Sequence, residues 1–176
     1  MIRALSIASV LSFAVLSMGT AMAQDNAPAP AAEKKPGPAD GFTIHVMAPH
    51  KFEDGTVHGP YHHYCKAISP EVLQCLLFES TDPNARLTDV EYFVSKSVSR
   101  THVPLKTWNK YYHDHEVEIA TGRVQVLDMP EAQVKEVAAA AAQTDGIIFH
   151  LWPDGAKAPT GVVGHPQSVG HKHRTK

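Results

Sequence analysis

The sequence lacks most of the features that would place it quickly in a class of proteins. It has only two cysteines, no dense run of lysine and arginine, and no internal repeat. A formal net charge of −2 without a basic stripe makes nucleic acid a poor candidate partner. After the first apolar run there is no transmembrane span and no strongly amphipathic helix. Histidine, in contrast, is abundant: 12 of 176 residues, all after position 40.

The N-terminus has the pattern of a removable secretory signal peptide. Arg3 lies in a short positive start, an apolar run follows, and Ala21-Met22-Ala23 forms a small-x-small cleavage site. The run is short for a membrane anchor, and no cysteine follows it to accept the lipid of a lipoprotein. We therefore predict that residues 1–23 are removed and that the protein is periplasmic or secreted.

Composition divides the rest of the chain into a leader, one domain and a tail. Residues 24–40 are rich in proline and alanine and have almost nothing to bury, which predicts a disordered leader. Residues 41–166 are enough for a single domain with a modest core. Residues 167–176 are expected to form a flexible, basic, histidine-containing tail.

Alternating apolar and polar residues predict about seven strands in the domain. We expect them within 42–48, 61–69, 71–79, 86–95, 110–122, 122–128 and 146–152. Residues 104–112 could form a short helix, and residues 130–144 form the clearest helix, since proline and acidic residues precede good helix formers. The predicted fold class is α+β, mainly an antiparallel sheet with one or two helices.

His113 and His115, one residue apart, form the most informative pair. On a strand both side chains would share a face with Val117 and Ile119, and we expect that face to be buried. The acidic residues at 114, 116 and 118 would then lie on the outer, solvated face. Residues i and i+2 of a strand lie roughly 6.5–7 Å apart, so two imidazoles can converge on one ion between them.

A metal ion held by this pair needs further ligands from neighbouring strands. His62 and His63 are adjacent, so at most one can share the face of the pair, while Glu91 interrupts an apolar strand. The predicted divalent metal site comprises His62 or His63, Glu91, His113 and His115, with His150 nearby. This ligand set does not distinguish zinc, iron and copper. A lone inward histidine such as His45 is more often a hydrogen-bonded core residue.

The two cysteines, Cys65 and Cys75, are the only pair available for a disulfide. Export would permit one, but spacing alone does not establish its geometry. We expect the two residues on neighbouring strands, close enough to interact. A nucleophilic Cys65 beside His63 is a further candidate that rests on sequence proximity alone.

Five motifs occur in order along the domain: YHHYCK (61–66), QCLLFES (74–80), ARLTDVEYFVS (85–95), HDHEVEIATG (113–122) and FHLW (149–152). Together they resemble the oil body-associated protein-like family, a domain of unknown function, over roughly residues 45–166. The family positions fall on His62, His63, Cys65, Cys75, Glu91, His113, His115, Glu118 and His150. Tyr112 and Asp114 depart from the family pattern, but every histidine and glutamate of the predicted site is retained.

This resemblance implies more about location than about chemistry. Plant members occur on seed lipid bodies and bacterial members exist, so the signal pattern indicates an exported bacterial member. The resemblance also marks Glu118, which alternation places on the outer face, and a β-bulge or a neighbouring strand could reconcile the two. Because cytosolic members have both cysteine positions, the resemblance does not require a disulfide for the fold.

Two functions remain open at this point. The first is an exported metal-binding domain whose ion could act as a Lewis acid or generate hydroxide, which leaves open whether the protein is an enzyme. The second is a non-catalytic, lipid- or surface-associated structural module whose histidines only pack and hydrogen-bond. A small-molecule or lipid ligand is compatible with either. A cupin-like β-barrel is the alternative fold, since H-x-H followed by glutamate is its ligand signature.

Overall fold

The structure, a computed structural model, describes residues 35–176. The strands within this range are β1 (Ile44–Lys51), β2 (Val57–Ser69), β3 (Val72–Phe78), β4 (Leu87–Ser95), β5 (Tyr112–Asp114), β6 (Gln125–Leu127), β7 (Thr144–His150) and β8 (Gln167–Ser168). The helices are α1 (Lys96–His102), α2 (Leu105–Tyr111), α3 (His115–Ala120) and α4 (Glu131–Ala141). The predicted signal peptide, and the leader up to residue 34, lie outside the described residues.

The strands form one antiparallel sheet in the order β5-β7-β4-β3-β2-β1-β6, and β8 pairs with β1. The prediction of an α+β fold with a mainly antiparallel sheet is therefore confirmed. The sheet path has two ends, and no pairing joins β5 to β6 within residues 35–176, so this part of the chain does not form the closed cupin-like barrel. The strands β2 and β3 form the expected close pair, with Cys65 directly opposite Cys75.

The expected number of helices, one or two, is too low. Helices α2 and α4 occupy the predicted regions, and each follows a proline at its N-cap. Helix α1 follows β4 directly, and the hydroxyl of Ser99 binds the carbonyl of Ser95 one turn earlier. None of the helices in the described part of the chain is long and apolar enough to cross a membrane.

Alternation predicted one strand over residues 110–122, and this prediction is wrong. Strand β5 ends at Asp114, and α3 begins at His115. Asp114 is the N-cap of this helix, because its side chain accepts a hydrogen bond from the backbone N–H of Glu116 at 2.9 Å. Acidic residues in the first turn also favour a helix at this point. Glu118 is three residues after His115, so it lies on the same helix face and is buried.

The segment 167–176, predicted as a flexible tail, packs against the domain. Ser168 is fully buried and pairs with His50 through β8 and β1. Further along, the side chain of Asn109 forms two hydrogen bonds, of 2.9 and 2.8 Å, with the backbone of Arg174. Backbone N–H and C=O groups of residues 167–176 therefore form hydrogen bonds with β1 and with Asn109, whereas in a detached tail they would bind water.

The apolar core lies on one face of the sheet. Cys65, Cys75, Leu77 and Phe93 form its buried cluster, and Ile44, Leu73 and Ala141 pack against it. Alternation along β2 and β4 directs His63 and Glu91 to this same face. The core face of the sheet therefore includes the residues on which the candidate site depends.

Candidate metal centre

Glu91 is the centre of a buried group of histidines. It lies in the middle of β4, opposite Cys75 of β3 and Ile148 of β7, and only 2% of its surface is exposed. Its Oε1 atom is 3.1 Å from Nε2 of His113 and 3.3 Å from Nε2 of His115. Its Oε2 atom is 3.3 Å from Nε2 of His63. Three imidazoles from separate elements therefore converge on one carboxylate.

A glycine makes this convergence possible. His113 lies opposite Gly146 of β7, so its side chain must cross β7 to reach Glu91 on β4. A Cβ atom at position 146 would lie 2.5 Å from Oε1 of Glu91 and 2.6 Å from Cε1 of His113. A glycine in a strand often marks such a close approach, and here the approach is between a histidine and a carboxylate.

Two more side chains extend the cluster. His50 of β1 places Nε2 3.2 Å from Nε2 of His63, and both rings are buried. Glu118 of α3 places Oε2 3.8 Å from Nε2 of His113 and 4.0 Å from Nε2 of His115. The centre therefore consists of two groups of potential ligands that share Glu91, namely His50 with His63 and His113 with His115, and Glu118 lies beside the second group. Within residues 35–176, the ion pairs formed by its two carboxylates are all with histidines.

Hydrogen bonds at the far side of two rings fix their orientation. The Nδ1–H of His63 donates to the carbonyl of Tyr61 at 3.1 Å. The hydroxyl of Thr144 donates to the carbonyl of Ala141, so the Nδ1–H of His115 donates to the oxygen of Thr144 at 2.7 Å. A neutral ring with its proton on Nδ1 has a lone pair on Nε2. In that neutral form both lone pairs face Glu91, so each contact requires either a proton on Nε2 or a bound cation between the ring and the carboxylate.

Burial and the neighbouring rings have opposite effects on the two carboxyl groups. Burial alone would raise the pKa of Glu91, but hydrogen bonds from His113, His115 and His63 keep that pKa well below its usual value. Burial raises the pKa of Glu118 to about 7, and the charge of Glu91 adds to this increase. For His50, burial and then the charge of His63 lower the pKa. Burial alone would lower the pKa of His63, but its hydrogen bond with Glu91 raises that pKa above the usual value. The electrostatics therefore favour an ionised Glu91 among its histidines.

His62 does not belong to the centre, although it was one of two candidates for the same position. Its side chain is on the opposite face of β2, since neighbouring residues of a strand point in opposite directions. There its Nδ1–H donates to Nε2 of His45 at 2.9 Å, while the Nδ1–H of His45 donates to Asp128 at 2.6 Å. The structure thus brings His63 to Glu91 and places His62 and His45 in a separate hydrogen-bonded chain.

His150 lies outside the group that contacts Glu91. Its Nδ1–H donates to the buried carboxylate of Asp89 at 2.7 Å, and its ring packs against Phe52 and Tyr61. Burial alone would lower the pKa of His150, but the hydrogen bond to Asp89 raises it above the usual value. Both features are those of a structural histidine with its own carboxylate partner.

His50 is the residue that sequence reasoning missed. The predicted first strand ends at residue 48, and the polar sequence that follows, rich in turn residues, predicts a loop there. Strand β1 nevertheless continues to Lys51, with an irregularity in pairing between Ala48 and His50. Counting in steps of two from Val46 through Ala48 would have placed His50 on the buried face.

The cysteines form a disulfide rather than two free thiols. Cys65 and Cys75 are paired across β2 and β3 with Cα atoms 4.1 Å apart, and both are fully buried. This arrangement excludes a thiolate ligand and the nucleophilic Cys65 in the oxidised protein. Their position on neighbouring strands agrees with the prediction.

Asp114, expected on a solvated face, instead anchors the elements that present His113 and His115. Its carboxylate binds Nη2 of Arg100 at 2.7 Å and Nζ of Lys96 at 2.8 Å. Arg100 also binds the fully buried Asp145, which accepts hydrogen bonds from Ser99 and Trp108 as well. These bonds connect α1 and α2 to β5 and β7 beside the candidate centre.

Comparison with known proteins identifies the family to which this sequence is similar. Residues 37–173 match the family described as protein of unknown function (DUF1264). Oil body-associated protein 1B of Arabidopsis thaliana is 32% identical over 116 residues, which cover 65% of this chain and 47% of that protein. Oil body-associated protein 2B of Zea mays is 29% identical over 144 residues, 82% of this chain and 53% of that protein. The chain spans about half the length of these curated relatives. No solved structure matches it.

Proposed function

The chain belongs to the DUF1264 family, and we propose that its domain binds a divalent transition metal ion through His63, Glu91, His113 and His115. Nitrogen and carboxylate oxygen suit zinc, iron and copper alike. Two ligands that bind one ion at about 2.0–2.1 Å in a tetrahedral site lie about 3.3–3.4 Å apart. The separations of 3.1 and 3.3 Å between Oε1 of Glu91 and Nε2 of His113 and His115 agree with such a site, and His63 meets the other oxygen of Glu91 at 3.3 Å.

One observation supports this proposal more than any other: two buried rings whose Nδ1 atoms already have partners direct Nε2 at a buried carboxylate. The partners of His63 and His115 at Nδ1 leave only Nε2 to meet Glu91. An ion between them would satisfy both nitrogens and the carboxylate, and the Tyr61 carbonyl and Thr144 hydroxyl would serve as the outer partners that orient metal-binding histidines. Protons on the rings are the competing explanation, and they predict no metal uptake.

We also propose that the domain acts outside the cytoplasm, as a periplasmic or secreted protein. The disulfide between Cys65 and Cys75 supports this, since disulfides persist mainly in oxidising compartments. The signal pattern at residues 1–23 supports it independently. Exported protein should begin at Gln24 and should not react with a thiol-alkylating reagent until it is reduced and unfolded. A mature protein that retains Met1 would contradict the proposal.

Zinc titration of untagged protein by calorimetry tests the metal proposal, and the sequence offers a matched pair of variants. His63→Ala removes a ligand, whereas His62→Ala removes the adjacent ring on the other face of the same strand. We expect His63→Ala to weaken zinc binding by at least about tenfold, because loss even of an outer partner of a ligand costs that much. His62→Ala should bind zinc as the wild type does, with the fold of both variants checked by circular dichroism.

A second set of variants locates the ion. His113→Ala with His115→Ala, and separately Glu91→Gln, should abolish stoichiometric zinc uptake. His171→Ala with His173→Ala removes the histidines of the C-terminal segment and should leave uptake unchanged. Uptake that survives the first two variants and disappears in the third would refute the site at Glu91.

A further inference from the structure

An apolar cavity of about 180 Å³ lies between the sheet and helix α4. Val46, Leu73 and Phe93 of the sheet form one wall, and Val134, Val137 and Ala138 of α4 form the other. Four members of the metal centre also line it: His63, Glu91, His115 and Glu118. The walls of the cavity are therefore mainly apolar, and they are polar where these four residues line it.

Helix α4 is packed unusually loosely over this space. No residue of α4 is buried, and Val134, Val137 and Ala138, which face the cavity, are only half-buried. Protein interiors are normally close-packed, and side chains that line a void lose dispersion contacts on that side. An apolar group that entered the cavity would supply those contacts to the valines of α4 and to Phe93.

The size and chemistry of the cavity define its occupant. An apolar cavity of about 150 Å³ is sufficient to bind benzene, so this one can enclose about six to eight carbon atoms. The polar end has two imidazoles and two carboxyl groups, so an anionic ligand there requires the positive ion of the proposed function, to which its oxygen would bind. We propose that the cavity binds a small monocarboxylate with an apolar body of this size, its carboxylate directed to the metal centre. This assignment rests on the proposed function for the partner of the carboxylate.

Calorimetric titration of zinc-loaded protein with octanoate and with acetate tests this inference. Acetate offers the same carboxylate without the apolar body. Octanoate has six more methylenes than acetate, and each one that is buried strengthens binding roughly fourfold. Burial of about half of them already predicts that octanoate binds roughly 100-fold tighter than acetate. Equal affinities for the two would overturn the inference.

Two neighbouring alanines of α4 provide a matched control for the position. Ala138 lines the cavity, whereas Ala139 is exposed and does not. Ala138→Phe fills the cavity and should weaken octanoate binding by about tenfold or more, given the methylenes it would displace. Ala138→Leu repeats the test with a smaller side chain in case the first variant does not fold. Ala139→Phe should bind octanoate as the wild type does, and an equal loss in both variants would refute the cavity as the site.

The zinc content of the same samples separates this inference from the proposed function. Zinc bound at one site together with octanoate no tighter than acetate would overturn the cavity ligand alone. Absent zinc together with octanoate binding that Ala138→Phe weakens would overturn the metal and leave the cavity as a binding site.

Discussion

Gly146→Ala is the smallest substitution that should disrupt the proposed metal centre. The added Cβ would lie 2.5 Å from Oε1 of Glu91 and 2.6 Å from Cε1 of His113, so one of the two side chains must move. Gly146 does not adopt a positive φ, and alanine therefore introduces no backbone strain. The effect is steric and is confined to the two groups that would share the ion.

The magnitude follows from two opposing terms. Overpacking a buried site costs about 1–3 kcal/mol. Replacing glycine with alanine at an unstrained position restricts the unfolded chain and recovers about 0.4–1 kcal/mol. We expect a net loss of about 1–2 kcal/mol in the free energy of unfolding of the metal-free protein, from these two terms. Zinc affinity should fall by at least about tenfold, because displacing His113 or Glu91 changes a ligand directly.

Gly164→Ala is the control for this experiment. Gly164 pairs with His150, and its added Cβ would meet the Cβ of His150 at an ordinary 3.5 Å. Chemical denaturation and zinc titration should therefore show little change in this variant. If Gly146→Ala binds zinc as tightly as the wild type, the close approach of His113 to Glu91 has no role in the site.

Three further substitutions test the elements around the centre. Asp145→Asn breaks the ion pair between the buried Asp145 and the partly exposed Arg100 and should cost about 2–3 kcal/mol in urea unfolding at pH 7. Burial alone would raise the pKa of Asp145, but hydrogen bonds from Arg100, Ser99 and Trp108 lower it. The stabilisation by Asp145 is therefore present above the unfolded pKa of about 3.9 and is lost as the pH falls through the lower folded pKa. A destabilisation by Asp145→Asn that grows in acid would contradict this. Asp114→Ala removes the cap of α3 and should lower the free energy of unfolding by about 1–2 kcal/mol. The control, Glu116→Ala, changes an exposed side chain and should lower it by less than about 0.5 kcal/mol. Equal losses in the two variants would argue against the cap. Cys65→Ser with Cys75→Ser should stay folded and lose about 2–3 kcal/mol for the loop of separation 10, and complete loss of cooperative thermal unfolding would show that the disulfide is indispensable.

Residue patterns predicted most of the sheet and part of the site. Alternation located the central strands, because period two is enforced wherever one face of a strand is buried. The same rule required that only one of His62 and His63 could reach the site, although the choice between them depended on the register with β3 and β4. Glu91 was identifiable because a carboxylate in an apolar strand needs a partner.

The features that the residue patterns did not predict have identifiable physical causes. Residues 113–119 satisfy both a strand period and a helix period, and the cap by Asp114 decides for the helix from His115 onward. That change of period is what brings Glu118 inward, so no β-bulge is needed. His50 was missed because the polar, turn-rich sequence after residue 48 predicts a loop, whereas β1 continues past Pro49 through an irregularity in its pairing with β2. The close approach at Gly146 depends on three strands at once, and no local pattern contains it.

Anomalous scattering from crystals of zinc-loaded protein tests the central claim most directly. Data collected on either side of the zinc absorption edge would locate the ion without reference to its ligands. We predict one strong peak within about 2.0–2.2 Å of Nε2 of His113, of Nε2 of His115 and of a carboxylate oxygen of Glu91, with His63 in the same shell. A peak only at the C-terminal histidines, or none in crystals grown with zinc, would contradict the account.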